Sequence, residues 1–178
     1  MKPTLDGSIA LATLLYHDVT DCTDTPYIEH LLWVMRALPE DVTDDDRQLA
    51  VLHDVIEGCQ LRLALLMRIH GGSGSHNVIG FIEYFRRAGY SEYVIDGLML
   101  LTRPMWSMSY VAYIRNIIDS GHRGAMLVKY WANRHNSDPE RLTRVLPEHH
   151  RRAAGIASRA RRSAALLATA LGCPEPIV

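Results

Sequence analysis

Apolar residues recur along this chain at intervals of three and four, and no β-branched stretch alternates apolar with polar positions. Such spacing lines up one face of each segment and predicts helices throughout. A short apolar helix is expected over about 8–16. Pro26 sits where a first helical turn accepts proline, and Ile28, Leu31, Leu32 and Met35 follow at helical spacing until Pro39. Thr43 with Asp46 three residues on forms a capping box with the shorter acid, and Asp44, Asp45 and Asp46 suit a helix N-terminus. That helix is predicted to run unbroken through Leu49, Leu52, Val55 and Ile56 to about Gly58. Further helices are expected over about 61–70, 78–88, 91–102, 107–120, 123–136 and 148–171. Gly71 opens a glycine-rich loop, while Gly89, Pro104, Gly121 and Gly172 punctuate the rest. The expectation is an all-α bundle of eight to ten helices in one domain over 1–178. The loop and helix near 71–88 read as an insertion, suited to a lid or to a contact between copies.

The length suits one domain able to bury its own core. A formal net charge of −1 gives no global electrostatic case for nucleic acid or a membrane surface. Cys22, Cys59 and Cys173 are far apart and odd in number, so neither a zinc ribbon nor a disulfide scaffold is indicated. The apolar run near the N-terminus lacks a basic start and a cleavage site, and His17 and Asp18 end it too early for a membrane span. These features together read as a cytoplasmic protein.

Candidate chemistry gathers in three segments: TPYIEH ending at His30, LHDVIEG holding His53, Asp54 and Glu57, and VKYWANRHNSD from Val128 to Asp138. Imidazoles and carboxylates are the ligands that borderline and hard divalent ions take. His53 and Asp54 are adjacent, so on a regular helix they point about 100° apart. They can share an ion if a helix end faces it and other helices complete the set. Glu57, four residues after His53 and three after Asp54, is placed to hold or activate water. Taken singly each residue is weak: His-Asp dipeptides are common, and a histidine on an apolar helix is more often a core residue.

Together the segments resemble the HD-domain hydrolases related to the hydrolase half of bacterial RelA/SpoT enzymes and their small stand-alone relatives. The matching runs are Pro26-Tyr27-Ile28-Glu29-His30, Leu52-His53-Asp54-Val55-Ile56-Glu57, Leu101-Thr102-Arg103, and Val128-Lys129 followed by His135-Asn136. The resemblance spans about Leu11 to Leu142 and implies an HD-type helical bundle. It implies His30, His53 and Asp54 as metal ligands, manganese as the ion, and Glu57 beside the attacking water. Asn136 would contact a nucleotide sugar, and Lys129 and Arg134 would line the pocket. The implied activity is hydrolysis of a phosphoester or pyrophosphate bond in a nucleotide.

Departures from the family pattern bear on that activity. The fourth ligand should be an aspartate at position 132, where this chain has Ala132. Three explanations stand: an Asp→Ala substitution of the kind made to trap substrate, a naturally degenerate binding module, or completion of the sphere by water or another carboxylate such as Asp138. Asp21 and Cys22 replace an Arg-Lys pair that grips phosphate in alarmone hydrolases, and an acid there should repel a pyrophosphate. Gly58 replaces a second acid after Glu57. His70 and His76 flank the loop and are not expected to be ligands, and His149-His150 should lie outside the main site. The arginines of the last helix (Arg151, Arg152, Arg159, Arg161 and Arg162) read as a solvated face, with Ile156, Ala160, Leu166 and Leu167 inward.

Overall fold

The computed structural model describes residues 2–70, 77–103 and 108–173. Among these, nine helices of nine or more residues and two of four and five make an all-α fold, with no strand beyond a single bridge between Thr20 and Pro26. They are α1 (Leu5–Leu15), α2 (Ile28–Ala37), α3 (Asp44–Leu52), α4 (Val55–Gly58), α5 (Gln60–Ile69), α6 (Val78–Arg87), α7 (Glu92–Leu101), α8 (Tyr110–Asp119), α9 (Arg123–Asn136), α10 (Pro139–Thr143) and α11 (His150–Leu171). Helix α10 escaped the sequence reading because five residues carry no period. Its N-cap Asp138 accepts from the Glu140 N–H, with Pro139 as its first residue.

Capping side chains set where most helices begin. Thr43 Oγ1 accepts from the Asp46 N–H while Asp46 Oδ2 accepts from the Thr43 N–H, completing the expected box. Thr4, Asn77, Ser91, Ser109 and His122 likewise cap α1, α6, α7, α8 and α9. Pro26 lies before α2 rather than in its first turn, pairing across the loop with Thr20.

The long helix expected over 43–58 is in fact two. It stops at Leu52 and restarts at Val55, with Asp54 at φ −103° and ψ −2°, in the sparsely populated region between helix and strand. The Tyr16 hydroxyl donates to the Asp54 carbonyl at 2.8 Å, beside the Gly58 N–H that donates to the same oxygen at 2.7 Å. Gly58 belongs to the same arrangement: a Cβ there would run into the Tyr16 hydroxyl. A glycine at position 58 is thus favoured by the tyrosine packed on it.

Helix α3 is buried almost all round, with Leu49, Ala50, Val51 and Leu52 fully covered, and α1, α2, α7 and α9 pack about it. Helix α11 lies along α9 and meets it with small residues, Ala153, Ala157, Ala160, Ala164 and Ala168. Leu167 points inward as expected, whereas Leu166 is exposed, because the buried stripe follows the alanines. Phe81 and Phe85 of α6 are fully buried, so the helical part of the supposed insertion is core; residues 71–76, including His76, lie outside the described residues. No helix among the described residues is long and apolar enough to cross a membrane.

Candidate metal centre

Helix α2 supplies His30 and the break after α3 supplies His53 and Asp54. The packing of α2 on α3 brings them together. One ligand atom from each lies within 4.8 Å of the others, a group that can hold a metal ion. His53 Nε2 is 3.2 Å and His30 Nε2 3.8 Å from the same Asp54 oxygen, Oδ2. Both histidines are buried, at 3% and 2% exposure. The break makes this possible, since a continuous helix would splay His53 and Asp54 apart.

Each of the three has an outer partner that orients it. His53 Nδ1 is 2.7 Å from the Ala50 carbonyl, so Nδ1 donates there and Nε2 is turned toward Asp54. The Tyr27 hydroxyl donates to Asp54 Oδ2 at 2.6 Å. Tyr27 in turn stacks on Tyr16 with centroids 4.7 Å apart. His30 Nδ1 is 2.7 Å from His135 Nδ1. On its other side, His30 Nε2 is buried without any hydrogen-bond partner. An imidazole nitrogen orphaned beside another lone pair and a carboxylate oxygen is what a cation between them would satisfy, so these residues fit a divalent ion.

The electrostatics agree. Burial pushes the His30 imidazole well below its usual range, with His53 adding to the shift, so the ring stays neutral. Burial by itself would raise the Asp54 carboxyl, but the imidazoles of His53 and His30 and the Lys129 ammonium hold it well below the ordinary value. An ionised carboxylate at Asp54 and a neutral imidazole at His30 are ligand forms that metal binding needs.

Around this centre the expected residues divide between two cavities. Glu57 lines one of about 670 Å³ with Thr102, Arg103 and Tyr113. Its residue is exposed, yet burial of the carboxyl, with Asp54 nearby, pushes it above the usual value against the Arg103 backbone N–H that Oε1 accepts. Asn136 lines the other, of about 390 Å³, with Tyr27, Arg141 and Arg152. Lys129 lies with its ammonium 5.1 Å from the Tyr113 ring centre. Burial would lower it, but the phenols of Tyr113 and Tyr110 and the carboxylates of Asp54 and Glu57 raise it, so it remains charged. Arg134 is half-buried on α9 and lines neither cavity.

Several expectations change. Ala132 is buried on α9, and the carboxylate named to complete the ligand set, Asp138, is not in the group with His30, His53 and Asp54. Asn133 Oδ1 accepts from the Tyr110 hydroxyl at 3.1 Å, and Asp138 caps α10. Asp21 does not present a free negative charge to a phosphate. Its Oδ2 meets Arg141 Nη2 at 2.7 Å, while Oδ1 accepts from Thr23 and Thr25. His149 stands outside the metal group, as expected, but in the wall of the Asn136 cavity, as does Arg152, which therefore is not merely a solvated arginine. His150 bonds the Val145 carbonyl and His70 the Tyr84 hydroxyl.

Tyr27, Trp33, His135 and Arg141 had no role in the sequence reading. A partial signal existed, because Trp33 follows His30 by three residues and therefore shares its helix face. The pairing of His135 with His30 joins residues far apart in the chain and has no local signal. Compared with protein-family models and with curated proteins, the chain matches none.

Proposed function

We propose that this protein is a metal-dependent phosphohydrolase of HD type, acting on a phosphoester or pyrophosphate bond of a nucleotide. The observation that carries the reading is the buried, unpartnered His30 Nε2 facing His53 Nε2 and Asp54 Oδ2, each of the three residues oriented by an outer partner. The resemblance of four ordered segments to HD-domain hydrolases supplies the reaction class, and the chemistry is consistent with manganese.

A divalent ion held by His30, His53 and Asp54 would supply Lewis acidity toward a phosphoryl oxygen and toward water. Glu57 has Oε1 engaged by the Arg103 N–H, which leaves Oε2 to take a proton from the attacking water. Its raised carboxyl is better matched to that task near neutral pH than an ordinary glutamate. Lys129 stays charged beside Asp54 and Glu57 and can offset negative charge developing on phosphate. Asn136 would place the sugar in its cavity. Arg152 gives that cavity a cation, while Arg141 is engaged by Asp21 in its wall.

Ala132 favours a second reading, a binding module that keeps the site and does not turn over, since no side chain adjacent to it replaces the expected carboxylate. One experiment tests both. Wild type and Ala132→Asp are incubated with manganese and a panel of nucleotides, and release of phosphate or pyrophosphate is followed. Metal-dependent release by A132D supports the hydrolase; a variant that binds manganese yet releases nothing from any nucleotide sinks it and leaves the binding module. Position 132 is buried, so the new carboxylate costs stability unless a cation meets it. Manganese should therefore raise the melting temperature of A132D more than that of wild type.

A further inference from the structure

The geometry points to His135 as a positioning residue: we infer that it accepts a hydrogen bond from His30 Nδ1–H and thereby fixes the His30 tautomer whose Nε2 lone pair faces His53 and Asp54. The inference rests on reading that group as a metal site.

Two imidazole nitrogens 2.7 Å apart must share a hydrogen, because two lone pairs at that separation repel. The hydrogen has two places to be. On His135, it would leave His30 carrying its own hydrogen on Nε2. That atom is buried and has no acceptor: the Asp54 oxygen 3.8 Å away is beyond hydrogen-bond reach. On His30 Nδ1, the hydrogen is used by His135, and Nε2 turns a lone pair toward the point where His53 and Asp54 also converge. His135 loses nothing in this second arrangement, because its ring is only half-buried and its Nε2 hydrogen is not among the buried atoms lacking a partner.

The acceptor is itself held. The His135 ring packs on the Trp33 indole with centroids 4.6 Å apart, and Trp33 meets Trp131 edge-on at 6.2 Å. Trp33 lies on α2 one turn after His30, so α2 presents both the ligand and the surface against which its partner rests. Helix α9 brings His135 to this point from its last turn. It therefore serves the site even though Ala132 brings no ligand. The carbonyl of Ala50 performs the same service for His53, which makes the two rings equivalent in what they offer an ion.

The test uses the full chain, with ¹⁵N-labelled histidine spectra of metal-free protein and manganese affinity by calorimetry. Wild type should show His30 protonated on Nδ1 and bare on Nε2. His135→Leu removes the acceptor and should weaken manganese binding by about 10–100-fold, with the His30 signals no longer confined to one tautomer. His135→Gln retains an oxygen acceptor and should recover most of the affinity, which loss of packing alone would not allow. A His30 ring carrying its hydrogen on Nε2 in wild type, or wild-type affinity in the folded H135L protein, overturns the assignment. If wild type binds no manganese, the metal reading fails, and the tautomer in the spectra still decides the role of His135.

Discussion

Asp21 and Arg141 meet with side chains only 7% and 9% exposed, which makes their ion pair sensitive to the loss of either partner. Burial alone would raise the Asp21 carboxyl, but hydrogen bonds from Thr23 and the Arg141 guanidinium hold it below its ordinary value of 3.8. A depressed folded pKa stabilises the protein above the unfolded pKa, and that contribution disappears as pH falls through the folded value. Asp21→Asn should therefore cost about 3–5 kcal/mol at pH 7, read from urea denaturation. The gap between variant and wild type should narrow below about pH 4. A constant gap across that range would show that charge pairing is not what the residue contributes. At this scale the three metal-binding candidates were legible, since short motifs carry them. The partners of Asp21, His30 and Asp54 were not, because Arg141, His135 and Tyr27 come from elsewhere in the chain.

Helix boundaries followed from caps and periodicity, and α9 was read at its observed limits. The interruption between α3 and α4 was not, because Leu49, Leu52, Val55 and Ile56 keep a helical period across it and all four are buried. Beside the break the Tyr16 hydroxyl binds the Asp54 carbonyl, a contact between residues 38 positions apart. Gly58→Ala should test this element. Its Cβ would force Tyr16 away, with an expected loss of about 1–3 kcal/mol for overpacking. Manganese affinity should fall with it, since Asp54 moves with the break. Unchanged affinity in a destabilised G58A protein would separate the break from the geometry of the site.

For the whole molecule, the site depends on α2, α3 and α9 being held together, with α11 laid along α9 by its alanine face. A ligand that binds only the folded chain stabilises it by mass action, about 2.7 kcal/mol at one hundred times its Kd. For a chain of this size that is roughly 5–10 °C. Saturating manganese should raise the melting temperature by about that amount, and chelation should reverse it. A melting temperature indifferent to both would count against the metal centre.

By itself the sequence determined that the chain is helical, where most helices start and stop, and which imidazoles and carboxylate gather. Caps, hydrophobic period and short motifs are local and survive without a fold. The tertiary structure alone decided that Asp54 sits in a break, that His135 backs His30, that Arg141 neutralises Asp21, and that Glu57 and Asn136 line different cavities. Each of these rests on groups separated along the chain, and their approach is governed by packing rather than by periodicity.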